Sequence, residues 1–527
     1  MVIVKLSPYP RWPYTGRFRR ALRDKMLIVR QSARRRPRAG VVFATTLAMS
    51  MLCLAVPASA ASYLDSLRAL SRNANVSAMV IRLDDMSIID EINPDQRLTP
   101  ASVSKLYAAG AALEQFGPAH RFTSRFTTSG SVSGNTLNGN LVFVGGGDPA
   151  LDNARLWTLI NGLRERGVSR INGDLVVDDG LFGNVPCLTK DRCNAQRVAS
   201  HAYSAPLSSA GVNFATIQTN VYAGERAGDP ARVELLPRGL SGYRVANDVS
   251  TGLPSTRPSL SVWRTYDNGQ STLHLRGSLP MGTGPYKIHR AVTGPAEDTA
   301  RVLAAMLDDM GIAVTGSVRV QGNIGGGNTL ARVESDTLAE QLIPLMAYSN
   351  NYMADTLTLD LAADSGYNRP LTLPLASQAL EALADRALRE NFPMQASAGS
   401  GAVLDSGSGL AVSNKLSARD LVALLSYMYR QPSLFPAFYG SIPVPLSAPS
   451  RTLKQGNFDW LTRINAKTGT LSEPVTVRAL AGYFRLQNGG YGAFAFVING
   501  TSSRPSLSYR QTVTAYQTDM ESILADY

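Results

Sequence analysis

Histidine and cysteine are scarce in this chain, with four His and three Cys in 527 residues. His120, His201, His274 and His289 are scattered, and no HExxH-type spacing exists. The usual zinc-hydrolase pattern is therefore excluded, and no metal or other cofactor is expected. Glycine-rich stretches lack the partners of a phosphate loop. "VGGGDPAL" has no Gly-Lys-Ser/Thr after it, and Asp148 would repel phosphate, so a tight turn is the reading. "GNIGGGN" at 322–328 likewise reads as a loop. Long apolar runs are also lacking. The one candidate, Val41 to Val56, is 16 residues and short for a transmembrane helix.

A charge excess is missing from most of the chain as well. The formal charge is +12, but residues 1–60 hold 12 of the 52 Lys/Arg and only one of the 40 acids, Asp24. The remainder balances 40 basic against 39 acidic groups, so nothing argues for a nucleic-acid partner. With 44% hydrophobic and 17% charged residues the chain is globular, and its length points to two or three domains.

The basic N-terminus has the grammar of an export signal. "RRRPRAG" precedes the apolar run, and Ala58 and Ala60 in "PASAAS" are the small residues a signal peptidase needs. Residues 1–60 read as a signal peptide cleaved after Ala60, with an uncleaved anchor as the alternative and Met26 as an alternative start. Neither "RRRPR" nor Cys53 has a twin-arginine or lipoprotein context. The remaining chain would be exported, to the periplasm, free there or peripheral to a membrane, with no stable transmembrane anchor. In that oxidising setting Cys187 and Cys193, close in a loop-like stretch, are expected to form a local disulfide.

Along the chain, the spacing predicts a short helix over 64–73 and a hairpin over Ser77–Ile92 around Asp84-Asp85. A helix follows from Ser102 to Leu113. From about Arg121 to Arg290 short strands, turns and prolines dominate, apart from a helix in "NARLWTLINGLRERG". Helical periodicity returns at 297–310, 338–347, 351–364, 374–391 and 416–429. "RALAGYFRLQNGGYGAFAFVING" is a hairpin with an Asn488-Gly489 turn, and a last helix covers about 506–525. The expectation is an α+β body in two parts, 61–122 and 291–527, interrupted by a β-rich insertion, 123–290.

Three short elements occur in order: Ser102-Val103-Ser104-Lys105, then Ser349-Asn350-Asn351 between two helical runs, then Lys467-Thr468-Gly469 ahead of the C-terminal hairpin. Alone each is weak. Ser102 followed by Lys105 could be a helix cap and a surface lysine, and Ser71-Arg72-Asn73 and Ser133-Gly134-Asn135 also read S-x-N. Together the set S-x-x-K, S-x-N, K-T-G is that of serine β-lactamases and penicillin-binding proteins. The chemistry fits the residue types. A serine hydroxyl needs a base within hydrogen-bond reach, and on a helix Lys105 shares a face with Ser102. Burial and a second ammonium, Lys467, would keep Lys105 neutral part of the time. Amides at the helix start can hold an oxyanion. Ser349 can relay a proton to the leaving amine and Asn351 can bind a substrate amide. Lys467 and Thr468 suit a substrate carboxylate, and Gly469 lets a substrate backbone approach. Ser104, adjacent to the lysine, points to another face and is expected to be a bystander.

With these motifs, and with "GGGDPAL", "GVSRINGDLVVDDGLF", "YSAPLSSAGVN", "SNNYMADTL", "GSGL" at 407–410 and "AKTGTL…LAGYF", residues 62–527 resemble the class C low-molecular-mass penicillin-binding proteins. These are the D-alanyl-D-alanine carboxypeptidase/endopeptidases similar to penicillin-binding protein 4. Ser349 lies 247 residues after Ser102, a spacing far longer than in compact class A β-lactamases. The resemblance implies a β-lactamase/transpeptidase-like catalytic domain, an antiparallel sheet flanked by helices. It also implies a second domain inserted into it, itself carrying a third at about 181–270. It implies cleavage of the terminal D-Ala of peptidoglycan stem peptides, and of D-Ala-diamino-acid cross-links, through an acyl-enzyme on Ser102. Peptidoglycan stem peptides are then the substrate partner and β-lactams covalent inhibitors. By motif, Ser102 is nucleophile, Lys105 its base, Ser349 and Asn351 the second pair, and Lys467, Thr468 and Gly469 the third edge. The amides of Ser102 and Thr470 would form the oxyanion hole. The family commonly has Ser where Thr470 stands, and Asp where Ser406 stands, with Asp405 here one place earlier. Two other readings remain open on the sequence: a serine β-lactamase, and a non-catalytic peptidoglycan-binding protein of the same fold. Against the first, the only glutamates between Asn351 and Lys467 are Glu381 and Glu390, neither in an E-x-x-x-N pattern.

Overall fold

A computed structural model describes residues 62–197, 200–396 and 399–527. The proposed signal peptide, residues 1–60, lies outside the described residues. Among the described residues no helix is long and apolar enough to cross a membrane.

The central sheet has five antiparallel strands in the order Ile464–Leu471, Val477–Arg485, Tyr491–Asn499, Asn75–Arg82, Ile88–Ile92. Its first and last strands are far apart in sequence, so the sheet joins the two chain ends. Both faces are covered, which explains why the strands read as nearly continuous apolar runs. Period-two alternation sorts the side chains by size. Ala479, Ala481, Tyr483, Ala493, Ala495 and Val497 face the larger helical layer. That layer includes the helices Lys105–Phe116, Asn351–Asp364, Leu373–Asn391 and Ala418–Tyr429. Leu480, Phe484, Phe494, Phe496 and Ile498 face the other way, onto the helices Asp65–Ser71, Phe458–Arg463 and Tyr509–Asp526. Trp460 is fully buried there. Each such large side chain contributes roughly 1.5–3 kcal/mol of burial.

The insertion departs from the expected boundary. Asn328–Glu334 pairs antiparallel with Thr123–Thr128, and Val318–Val320 pairs parallel with Leu175–Asp178. The helix Pro295–Asp309 shares a core with Phe126, Leu159 and Val177. The segment 295–334 therefore belongs to the inserted sheets, and the body resumes near 335 instead of 291. The reason is physical: a helix and three short strands look alike in either setting until their pairing partners, about 140 to 210 residues earlier, are known. Two further three-stranded sheets span Thr216–Tyr222 to Tyr286–Ala291, beyond the 181–270 expected for a nested unit. Their core reaches Tyr352, Leu359 and Ala362 of the helix Asn351–Asp364. Within the inserted segment, Arg170–Asn172 and Leu175–Asp178 are strands of different sheets, separated at Gly173 and Asp174. Cys187 and Cys193 form a disulfide with Cα atoms 5.2 Å apart. It brackets most of the short helix Lys190–Ala195.

Candidate active site

The α-helix expected from Ser102 begins instead at Lys105, and Ala101–Ser104 is a 3₁₀ turn ahead of it. With three residues per turn, positions i and i+3 eclipse, which aligns Ser102 with Lys105 more closely than an α-helix would. Lys105 Nζ lies 3.0 Å from Ser102 Oγ. Ala101, entering the turn, has φ +50°, a left-handed conformation that costs an alanine about 1–2 kcal/mol. Its carbonyl is capped by the Ser104 hydroxyl at 2.9 Å, and Asn414 Nδ2 donates to the same hydroxyl at 3.3 Å. Ser104 is thus a buried brace of the turn and does not enter the lysine's hydrogen-bond set.

Lys105 is fully buried. Beside Ser102 it donates to Asn351 Oδ1 at 2.7 Å and to the Ser408 carbonyl at 2.6 Å. Burial, then the Lys467 ammonium, hold its proton affinity well below the ordinary lysine range. A neutral amine has two N–H bonds and one lone pair. The two fixed acceptors, Asn351 and Ser408, occupy the N–H bonds and leave the lone pair facing the Ser102 hydroxyl.

The second motif is a corner between two helices. Leu338–Tyr348 ends at Ser349, whose φ/ψ of 55°/43° is the left-handed conformation of a helix terminus. Asn350 caps the next helix, accepting from the Met353 amide at 3.1 Å. This corner turns Ser349 Oγ to Lys467 Nζ, 2.9 Å away. Asn351, read from sequence as a substrate-amide binder, faces inward to Lys105 and donates one Nδ2 hydrogen to the Tyr203 carbonyl at 3.0 Å.

The third motif lies within the strand Ile464–Leu471, at an edge of the central sheet. Lys467 is buried, which pushes it down to about 7, and it also donates to the Thr468 carbonyl at 2.8 Å. Thr468 is partly exposed and Thr470 exposed. Gly469 has a packing reason besides the substrate approach expected. A Cβ there would sit 2.6 Å from the Pro100 carbonyl, 3.1 Å from Ala479 Cβ and 3.3 Å from Ala101 Cβ. Its small size seats the strand against the turn that carries Ser102.

A cleft of about 600 Å³ is lined by Ser102, Ser349, Asn351 and Thr470, with Tyr203 and Leu410 among its walls. The two lysines are buried behind it. Position 406, where the sequence departs from the family pattern, is filled by a buried serine held through Asn414, whose Nδ2 donates to the Ser406 carbonyl at 2.8 Å. Asp405 instead accepts from Ser413 Oγ at the surface. Gly409, with φ +73°, has Ala101 O only 2.0 Å from where a Cβ would stand.

Three residues in this arrangement were not singled out from sequence. The Ser408 carbonyl binds Lys105, Asp355 Oδ1 accepts the Ser408 amide at 2.8 Å, and Arg192 Nη1 pairs with Asp355 Oδ2 at 2.6 Å. The available signal was Asp355 itself, a carboxylate in the apolar run "YMADTLTL". The four histidines stay apart from the site's hydrogen bonds; His120 stacks on Phe116 and His274 on Trp263.

A family model described as the D-Ala-D-Ala carboxypeptidase 3 (S13) family matches residues 58–520. The chain is 30% identical over 437 residues to a D-alanyl-D-alanine carboxypeptidase of Actinomadura sp. (strain R39), covering 79% of this chain and 76% of that one. It is 24% identical over 453 residues to D-alanyl-D-alanine carboxypeptidase DacB of Haemophilus influenzae, covering 83% and 88%. The crystal structure of penicillin binding protein 4 from Haemophilus influenzae has a TM-score of 0.69 at 21% identity, covering 88% of this chain and 99% of that one. The same protein complexed with a β-lactam gives 0.65 at 22% identity, covering 89% and 100%. The fold is accordingly α+β and of the β-lactamase/transpeptidase-like kind.

Proposed function

This chain belongs to the D-Ala-D-Ala carboxypeptidase 3 (S13) family, and from that premise we propose that it is an exported serine DD-peptidase acting through Ser102. The observation that carries the reading is the lysine geometry: Lys105 Nζ is 3.0 Å from Ser102 Oγ, with its other hydrogens committed to Asn351 and Ser408.

The substrate peptide lies along the edge strand Ile464–Leu471, where an extended chain adds to the sheet. Its terminal carboxylate meets the third-motif edge, Lys467 and Thr468. Neutral Lys105 takes the Ser102 proton as Oγ attacks the carbonyl of the penultimate D-Ala. The amides of Ser102 and Thr470 hold the oxyanion, a contribution of about 2.7–4 kcal/mol per donor in comparable sites. The C–N bond breaks as Ser349 protonates the leaving amine, and Lys467, 2.9 Å away, restores the Ser349 proton. Water then cleaves the acyl ester: its proton passes through Ser349 to Lys467, Lys105 returns its proton to Ser102 Oγ, and the C–Oγ bond breaks to free Ser102. A β-lactam enters the first half of this sequence, since its amide is opened by the same attack. The β-lactam complex of the Haemophilus relative supports that extension.

The same chemistry serves a D-Ala-diamino-acid cross-link, because only the leaving amine differs. The test is to incubate purified mature protein with cross-linked peptidoglycan and separate released D-Ala from released monomers. Both products are expected. Free D-Ala without monomers would remove the endopeptidase half; neither product would remove the reading.

A further inference from the structure

Resting on the reading of Lys105 as base, we propose that Arg192, carried by the inserted segment, is a positioning residue for that lysine: by pairing with Asp355 it lets this carboxylate hold the Ser408 peptide without drawing a proton onto Lys105.

The geometry is a continuous line. Arg192 Nη1 meets Asp355 Oδ2 at 2.6 Å, with both side chains buried. Asp355 Oδ1 accepts the Ser408 amide at 2.8 Å, and the Ser408 carbonyl accepts Lys105 Nζ at 2.6 Å. Arg192 also reaches the second hydrogen-bond partner of the lysine. Its Nε donates to the Ala205 carbonyl at 3.0 Å, two residues after Tyr203, whose carbonyl receives Asn351 Nδ2. One guanidinium from the insertion thus supports both acceptors that orient the base. Its own helix, Lys190–Ala195, is N-capped by Thr189 and tied by the adjacent Cys187–Cys193 disulfide.

The electrostatics give the pairing a consequence beyond packing. The charged groups acting on Lys105 are Lys467 from the third-motif strand, Asp355 from the second-motif helix and Arg192 from the insertion. Lys467 and Arg192 disfavour the ammonium, whereas Asp355 favours it. Asp355 fixes the Ser408 peptide, yet its charge works against the burial and the Lys467 ammonium that keep the base unprotonated. Arg192 offsets part of that charge at the point where it is used.

The test is acylation rate by a fluorescent penicillin as a function of pH, with circular dichroism and thermal unfolding on each variant. Arg192→Met leaves Asp355 uncompensated, so the acidic limb should move up by about one pH unit, which reads as roughly tenfold slower acylation at a fixed pH on that limb. Arg192→Lys keeps the charge and should hold the limb near wild type. Arg192→Met with Asp355→Asn removes both charges while Asn retains the acceptor for Ser408, so the limb should return toward wild type. Asp355→Asn alone should move it down. A folded Arg192→Met with an unmoved limb overturns the proposal. If Arg192→Met does not fold, coincident limbs for Asp355→Asn and the double variant overturn it. Failure of the wild type to acylate is a different result: it overturns the reading of Ser102 and Lys105, and the proposal with it.

Discussion

Gly469→Ala separates two reasons for the third-motif glycine. The added Cβ would lie 2.6 Å from the Pro100 carbonyl, below the roughly 3.0 Å that real Cβ contacts respect, and near Ala101 and Ala479. Neither backbone can yield cheaply. The strand is paired to Val477–Arg485, and Ala101 is held at positive φ by its fit against Gly409. The turn must retreat by at least about 0.4 Å to relieve the contact. Overpacking of this kind costs about 1–3 kcal/mol. Because Ser102 rides on that turn, its Oγ moves with it, and misplacement approaching 1 Å costs about 10²-fold in rate. The expected outcome is a loss of about 1–3 kcal/mol in urea unfolding, together with acylation slowed by about one to two orders of magnitude. If the glycine served only substrate approach, stability would be unchanged and only substrate affinity would suffer. Wild-type stability in Gly469→Ala would therefore refute the close-approach argument.

Three more outcomes follow from the same geometry. Lys105→Met keeps volume but removes the base, so acylation should fall by about 10²–10⁴-fold in stopped-flow mixing while the circular dichroism spectrum is retained. Lys467 is depressed to about 7 from an ordinary 10.5, so between those values the unfolded state binds more protons and stability rises with pH, by at most about 1.4 kcal/mol per unit. Lys467→Met should flatten that rise in denaturation curves taken from pH 7 to 10, and an unchanged slope would contradict the burial argument. Ser104→Ala removes the brace on Ala101 and the acceptor for Asn414; it should cost about 1 kcal/mol of stability yet leave an acylable Ser102, read by unfolding and by penicillin labelling.

What was legible in the sequence was local. The hairpin Val477–Asn499 announced itself through alternation and the Asn488-Gly489 turn, and the helix Asn351–Asp364 came out at its observed ends. Ser102 and Lys105 are three residues apart, so any helical turn brings them together. Non-local features stayed hidden. Segment 295–334 reads as more of the helical body until Asn328–Glu334 is seen paired with Thr123–Thr128. Phe435–Ser441 and Phe458–Arg463 are too short to show a period, and packing against Tyr483 and Tyr516 gives their aromatic residues a place. The Arg192–Asp355 pair spans 163 residues, and a lone arginine beside Cys193 carries no local signature. In the sequence Gly469 reads as room for a substrate backbone, whereas its close neighbour Pro100 is brought there only by the fold.

The central claim is that Ser102 is acylated, with Lys105 as its base. Intact mass after incubation with a penicillin, followed by peptide mapping of the adduct, measures it. One penicilloyl group on the wild type, mapped to Ser102 and absent from Ser102→Ala, is the predicted result. No adduct on the folded wild type, or an adduct that survives Ser102→Ala, would contradict the account.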